Sequence, residues 1–363
     1  MNVAIDTTAL MLNKAGVHVY LRELLEALRD VEGINLVPVC YDLKAERTNR
    51  LMSKLDTLYR DVIWQNLVLP RDIGKAGVDL FHAPQPRTTV GAPVPFVVTV
   101  YDLYVYHNPQ GYSWWTSFLY HLVPMILRRA SVIITISEFS RRELIRFVPG
   151  LDPSKIVVTP LGVSERFQPA SKDACGRVRQ KYNLPERFLL AVNTLEPRKN
   201  LLPFLEAFSR IQNKIDEHLV LVGSPGWVPK HAASILETMR RNERIHYVGY
   251  VPDEDLEVLY SAASAYVFPS SYEGFGLPAV EAMACGCPVI ASKGSSLDEV
   301  IGGAGLQFDP ASQDEMAETI LRMVGSVSLR DTFKAKGFEN AARYSWQQTA
   351  SCTVAAYRKA LES

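Results

Sequence analysis

The sequence predicts an α/β protein of two domains, each a parallel sheet flanked by helices. Short apolar runs rich in Val, Ile and Leu alternate with helical patterns at the spacing of strand–helix–strand units. After a polar stretch, the pattern restarts at Phe188-Leu189-Leu190-Ala191-Val192. The 363 residues also suit two domains of ordinary size.

Apolar residues make up 47% and charged residues 21%, enough for a core in each domain. Lys plus Arg equals Asp plus Glu at 39 each, so no excess of positive charge argues for a nucleic-acid partner. Cys40, Cys175, Cys285, Cys287 and Cys352 are an odd, scattered set, unlike a disulfide framework. Cys285 and Cys287 have no second ligand pair nearby, so no metal site is expected. The first residues enter a strand directly, without a basic and then apolar leader. No run reaches the roughly 18 apolar residues of a membrane span. A cytoplasmic protein is expected, with peripheral contact at the inner face of the cytoplasmic membrane left open.

In chain order, Val3-Ala4-Ile5-Asp6 reads as the first strand, with Asp6-Thr7-Thr8 at its carboxyl end. A loop over 13–18 precedes a helix over 19–29, whose Leu21, Leu24, Leu25 and Leu28 form one stripe. Gly16 in that loop would let backbone approach a ligand at the helix entrance. Residues 37–41 read as a strand, 44–75 as helix and loop, and 78–82 as a strand before the proline-rich loop 83–86. Residues 95–102 form a continuous β-branched run, the mark of a central parallel strand. Tyr101 and Asp102 fall at its carboxyl end, where open α/β sheets place ligands. Asp102 there is either a ligand-facing acid or the cap of a turn or helix. Seven aromatics follow between Tyr104 and Tyr120, suiting an acceptor cleft, a membrane-facing patch or a packed satellite of the core. Residues 122–130 read as a helix and 131–137 as a buried strand. Ser137-Glu138-Phe139-Ser140 then opens a capped helix, and 156–160 make the last strand of the domain.

Residues 167–181 are polar and turn-prone, as in a linker. The strand at 188–192 runs through Glu196-Pro197-Arg198-Lys199-Asn200 into a helix ending near 208. Two adjacent cations at a strand-to-helix turn suit a diphosphate, or form an ordinary charged loop. A strand at 219–224, a helix at 230–241, a strand at 245–250 and a helix with an acidic first turn lead to the apolar run 265–269. From there the chain passes through Glu273-Gly274-Phe275-Gly276 into a helix starting near Leu277 or Pro278. Backbone N–H groups in such a turn can face an anion, and Glu273 and Glu281 bracket it. An ordinary crossover has the same outline. A strand at 288–292, with Glu299 in the turn after it, and helices at 314–323, 330–344 and 346–361 complete the chain. The expected division is 1–166, 167–345 and a terminal helix, 346–363, packing back towards the first domain.

With Arg198, Lys199, Glu273 and Glu281 in place, the chain resembles retaining glycosyltransferases of the GT-B class. The matching group is the large bacterial one of mannosyl- and glucosyltransferases, glycosyl transferases group 1. Residues 194–200, Gly249-Tyr250-Val251-Pro252 and the run 268–288 carry the resemblance, the last with its two glutamates separated by seven residues. Residues 137–140 and 158–163 are similar too, so it extends over almost the whole chain. It implies two Rossmann-like α/β/α domains facing across a deep cleft that holds a nucleotide-diphosphate sugar. GDP-mannose is favoured over a UDP-sugar by the 194–200 segment.

The resemblance also implies roles. Lys199, assisted by Arg198, would contact the diphosphate and neutralise the leaving nucleotide without a metal or other cofactor. Glu273 would lie at the donor sugar and Glu281 at the ribose hydroxyls. Backbone around Gly274, Phe275, Gly276 and Leu277 would line the sugar and phosphates, with Gly16 on the phosphate side of the first domain. Asp102 would share in catalysis, and Tyr101, Asp102 and Tyr104 would face a glycan or lipid-linked saccharide acceptor. Two positions depart from the group. Tyr101 stands where many members have a histidine, and Thr194 where many have an arginine. Retention would follow from front-face attack, a donor phosphate oxygen taking the acceptor proton. A noncatalytic sugar-nucleotide or glycan-binding component is the alternative that these departures keep open. A dinucleotide dehydrogenase is disfavoured, since no Gly-x-Gly-x-x-Gly follows the first strand.

Overall fold

The computed structural model describes residues 1–12, 16–41, 55–112, 114–224 and 229–362. The chain divides into two compact units, residues 1–162 with 346–363, and residues 163–345. Among the described residues each unit holds one six-stranded sheet, and every strand pair is parallel. None of the described helices is long and apolar enough to cross a membrane.

The first sheet contains β1 (Asn2–Asp6), β2 (Asn35–Val39), β3 (Leu80–Ala83), β4 (Phe96–Val100), β5 (Val132–Thr135) and β6 (Ile156–Val158). Their order is β2-β1-β3-β4-β5-β6. The β-branched run expected to be central is β4, fully buried between β3 and β5. β2 lies two residues earlier than its sequence suggests, because Asn35 pairs with Asn2 at the start of β1. Its Pro38 is tolerated because β2 is an edge strand.

The helix Gly16–Arg29 buries Tyr20, Leu21, Leu24 and Leu28, with Leu25 at its margin. It starts three residues before the expected Val19, so Gly16 is its first residue and not part of a loop. The other residues read as that loop lie partly in 13–15, outside the described residues, as does part of the segment read at 44–75. The described remainder of that segment is helical, π-type over Tyr59–Val68 and α over Leu69–Lys75.

The helix Trp114–Arg129 begins eight residues before the expected 122 and takes in much of the aromatic stretch. Aromatic residues favour helix only weakly, so periodicity became visible only where aliphatics begin, while packing set the real boundary. Of the readings left open for these aromatics, the packed one applies to Tyr106. The Tyr106 hydroxyl donates to the Tyr120 carbonyl at 2.7 Å, and the Tyr106 ring stacks on Phe147 at 5.7 Å. Trp114 and Phe118, by contrast, are exposed. Ser137 caps Glu138–Phe147, its Oγ accepting the Ser140 N–H at 3.0 Å.

The terminal helix Trp346–Glu362 joins the first unit. The Tyr357 hydroxyl lies 2.7 Å from His82 Nδ1, and His82 Nε2 lies 2.8 Å from Thr99 Oγ1. Thr349 Oγ1 donates to the Pro160 carbonyl at 2.7 Å. Burial pushes the His82 imidazole down to about 3, so it sits neutral in the core.

The second sheet contains β7 (Phe188–Val192), β8 (His218–Val222), β9 (Ile245–Gly249), β10 (Ala265–Phe268), β11 (Val289–Ser292) and β12 (Gly305–Phe308), in the order β12-β11-β10-β7-β8-β9. The helices Leu201–Ile211 and Gln313–Val324 pack Phe204, Phe208, Met316 and Ile320 into one core cluster. Three sequence readings are corrected here. Residues 172–181, read as linker, form the helix Lys172–Lys181, capped by Ser171 and burying only Cys175 and Val178. So narrow a buried face leaves a polar sequence. The short edge strand β12 was not foreseen, its half-buried Gly-Leu-Gln start carrying little strand signal. Glu299 lies in the helix Leu297–Ile301, not in a turn.

Candidate functional site

β7 and β10 are neighbours, Ala265 pairing with Leu189 and Tyr266 with Leu190. Their carboxyl ends therefore deliver two distant loops to one place. After β7, Arg198 and Lys199 lie in the 3₁₀ turn Pro197–Lys199. After β10, the Ser271 N–H and Oγ both donate to the Arg198 carbonyl, at 2.9 and 3.1 Å. The two loops are thus tied backbone to backbone before any charged group meets.

Across that tie, Lys199 Nζ lies 2.6 Å from Glu273 Oε1, and Arg198 Nη1 lies 3.3 Å from Glu273 Oε2. Arg198 Nε also reaches Glu196 Oε2 at 3.3 Å. The Lys199 and Glu273 side chains are only 12% and 10% exposed, so this is a desolvated pair and not a surface ion pair. Burial alone would raise the Glu273 pKa. The charges of Lys199 and Arg198 outweigh it and hold the carboxyl below its ordinary value, ionised at neutral pH. Burial draws the Lys199 ammonium below its usual value, with Glu273 opposing. The ammonium also lies 5.5 Å from the centre of the Phe268 ring.

The turn after Glu273 is held from below. Ser296 Oγ lies 2.8 Å from the Glu273 carbonyl and 2.9 Å from that of Phe275, so its hydroxyl proton is directed between them. Phe275 packs edge-on against Tyr344 at 5.4 Å. Gly276 has φ +103°, and a Cβ there would come within 2.4 Å of Leu297 Cδ2, so both conformation and space call for glycine. Gly276 caps the helix Leu277–Ala284, and Pro278 sits in its first turn. Gly274 is buried and Leu277 half-buried. Glu281 is half-buried one turn further along, where the Tyr260 hydroxyl donates to its Oε2 at 3.3 Å.

In the first unit, Tyr101 and Asp102 directly follow β4. Asp102 Oδ1 accepts the Tyr104 N–H at 3.1 Å, so Asp102 caps a turn ahead of the short helix Tyr104–His107, whose N-cap position is Leu103. Ser140 Oγ donates to the Tyr101 carbonyl at 3.0 Å. The Tyr101 ring meets Tyr20 edge-on at 5.1 Å, and its hydroxyl is buried without a hydrogen-bond partner among the described residues. Burial, reinforced by Tyr20, pushes its pKa well above the usual phenol value. Tyr104 is half-buried, and Gly16 is exposed with open space where a Cβ would be.

Arg198, Lys199, Glu273 and the turn through Leu277 are therefore one cluster in the second unit, with Glu281 on the helix that follows. Gly16, Tyr101, Asp102 and Tyr104 belong to the first unit. Sequence reading missed Ser296, Tyr260 and the Glu196–Arg198 contact. Ser296 stands twenty-three residues after Glu273 and shows no local motif; only the packing of β11 beside β10 brings it under the turn.

Residues 177–340 match glycosyl transferases group 1, and residues 15–167 match glycosyltransferase family 4. Over 235 residues the chain is 40% identical to the O-antigen chain mannosyltransferase B of Escherichia coli, a match covering 64% of this chain and 61% of that one. It is 31% identical over 263 residues to an MMP α-(1→4)-mannosyltransferase of Mycolicibacterium hassiacum, covering 68% and 60%. The match thus spans about three fifths of the length of these two relatives. The structure of a sucrose-phosphate synthase from Thermosynechococcus elongatus aligns with a TM-score of 0.79 at 23% identity, covering 99% of this chain and 98% of that one, a likeness of fold alone. With one family matched in each half and this fold throughout, the chain belongs to the GT-B glycosyltransferases, its second half to glycosyl transferases group 1 and its first to glycosyltransferase family 4.

Proposed function

We propose that the protein transfers a mannosyl residue from a nucleotide-diphosphate sugar, GDP-mannose, to a glycan or lipid-linked saccharide acceptor, with retention at the anomeric carbon. The observation that carries this reading is the buried cluster of Lys199, Arg198 and Glu273 beside a glycine turn and a helix start. The mannosyl choice draws on the names of the two relatives.

The cluster suggests an order of events. Without donor, Lys199 and Arg198 are satisfied by Glu273. An arriving diphosphate supplies charge-assisted acceptors for both cations, and they neutralise the nucleotide as it leaves. Side-chain cations then do the work of a metal, so turnover needs no added metal ion. Glu273, released from Lys199 but still ionised, turns to the hydroxyls of the donor sugar and steadies positive charge at the anomeric carbon. With its carboxylate engaged by the sugar hydroxyls, Glu273 is not the nucleophile in this reading, and retention follows from front-face attack with a donor phosphate oxygen taking the acceptor proton. Glu281 accepts from the ribose hydroxyls. Tyr101, Asp102 and Tyr104 are assigned to the acceptor side, with the Asp102 cap fixing the backbone there. Gly16 leaves room for close approach of a ligand.

Calorimetric titration with a panel of sugar nucleotides, together with an acceptor-dependent turnover assay, tests this. GDP-mannose should bind more tightly than UDP-glucose. Glu281→Ala should weaken nucleotide binding at least tenfold, about the value of one or two hydrogen bonds. Glu273→Ala should lower turnover by about 10²–10³ with little change in nucleotide affinity. If no sugar nucleotide binds, the donor site is wrong; if both variants lose binding equally and nothing else, the division of roles is wrong.

A further inference from the structure

We propose that Tyr260 is a positioning residue for Glu281, its hydroxyl holding one carboxylate oxygen so that the group meets the ribose hydroxyls of the donor in one fixed orientation. The inference rests on the reading of Glu281 as the ribose acceptor and adds to it the residue that sets its geometry.

β10 is flanked along the chain by two helices, Asp253–Ala262 before it and Leu277–Ala284 after it, and these pack on one another. Tyr260 comes from the first and Glu281 from the second, and the Tyr260 hydroxyl donates to Glu281 Oε2 at 3.3 Å. A glutamate side chain turns about three bonds, and the last of these is broad and roughly two-fold. Accepting from two neighbouring hydroxyls needs the carboxylate plane set. An unheld side chain would give up rotamer freedom when the ligand binds, and one already held gives up less.

Tyr260 can hold it because its own ring is fixed. The side chain is fully buried. Two rings meet it edge-on, Tyr266 at 5.4 Å and Phe167 at 6.2 Å. Burial, reinforced by the charge of Glu281, pushes the phenol pKa well above its usual value, so the hydroxyl keeps its proton and stays a donor at neutral pH.

The two acids of the site are thus held by different means. Lys199 and Arg198 hold Glu273 and offset its charge. Tyr260 orients Glu281 through a neutral O–H, which leaves the negative charge to attract the ribose hydroxyls. Burial first, and the Glu281 charge second, also keep the Tyr266 phenol and the Cys285 thiol protonated, the thiol pushed up to about 12. The Tyr266 hydroxyl is as deeply buried as that of Tyr260, yet it has no hydrogen-bond partner among the described residues. Of these two phenols in contact, then, Tyr260 bonds to the acid and Tyr266 serves as its matched control.

Calorimetry on the full chain tests the assignment, with GDP and dideoxy-GDP, which lacks both ribose hydroxyls, as probes. The corresponding uridine pair serves if the panel of sugar nucleotides favours UDP. The parent should prefer GDP about tenfold or more. Tyr260→Phe keeps the ring and its packing, so Tm should stay within about 2–4 °C of the parent's. Its preference for GDP should fall to about threefold or less, with the affinity for dideoxy-GDP unchanged. Tyr266→Phe, the same change at the same depth, should keep the parent's preference. In a Glu281→Ala background, Tyr260→Phe should alter neither affinity. A loosened fold would instead weaken both nucleotides alike. That outcome overturns the inference, as does a Tyr260→Phe that keeps the parent's preference or a Tyr266→Phe that loses as much; each leaves Glu281 at the ribose. A parent that binds both nucleotides equally removes Glu281 from the ribose, and the reading and the inference fall together.

Discussion

Replacing Lys199 with methionine probes the cluster most directly, because methionine keeps most of the side-chain volume and removes only the charge. The Glu273 carboxylate would lose its 2.6 Å partner while staying 10% exposed. Removing one member of a buried pair costs about 3–5 kcal/mol, since the survivor is left charged and desolvated. Arg198 still faces Glu273 at 3.3 Å, so the lower end, about 3 kcal/mol, is expected. For a unit of this size, about 2–4 °C per kcal/mol converts that into a fall in Tm of about 6–12 °C. Glu273→Gln should cost a similar amount, because it strands Lys199. The double variant, which removes both charges, should cost less than the sum by about 2–3 kcal/mol. Urea unfolding of the parent, both single variants and the double variant provides the cycle. Additivity within about 0.5 kcal/mol would refute the coupling on which the proposed charge exchange depends.

Gly276→Ala should destabilise the second unit by about 2–3 kcal/mol, combining a strained backbone with displacement of Leu297, and should weaken nucleotide binding. Unfolding within about 0.5 kcal/mol of the parent would show that the turn does not need its φ of +103°. A pH effect is expected at His82, whose imidazole is pushed down to about 3 in the fold. Above about pH 6.5 the imidazole is neutral whether folded or unfolded, and below it only the unfolded chain takes up the proton. Stability is therefore lost as pH falls, approaching about 1.4 kcal/mol per unit, or about 2 kcal/mol between pH 6.5 and 4.5. His82→Gln should flatten that part of the unfolding profile, and an unchanged slope would mean that His82 is not held neutral.

Much of the fold was legible because its signals are local. β4 is a continuous β-branched run, and such a run buries on both faces wherever it lies. The start of Leu277–Ala284 and the Ser137 cap were likewise readable, since each depends on residues within one turn. Other features had weak local signals. Lys172–Lys181 buries two residues, and Trp114–Arg129 opens with aromatics, so periodicity understated both helices. β12 is strand because β11 offers it an edge.

The candidate site divides in the same way. The sequence by itself determined which side chains are available: two adjacent cations after one strand, and two glutamates around a glycine turn after another. Tertiary structure alone decided that β10 lies beside β7, which brings Glu273 to 2.6 Å from a lysine seventy-four residues earlier. It also decided that Ser296 braces the turn and that the Tyr101 hydroxyl is buried against Tyr20. Residue type sets what a group can donate, accept or ionise. Its partners and its solvation, and hence its charge state, depend on which strands the sheet places side by side.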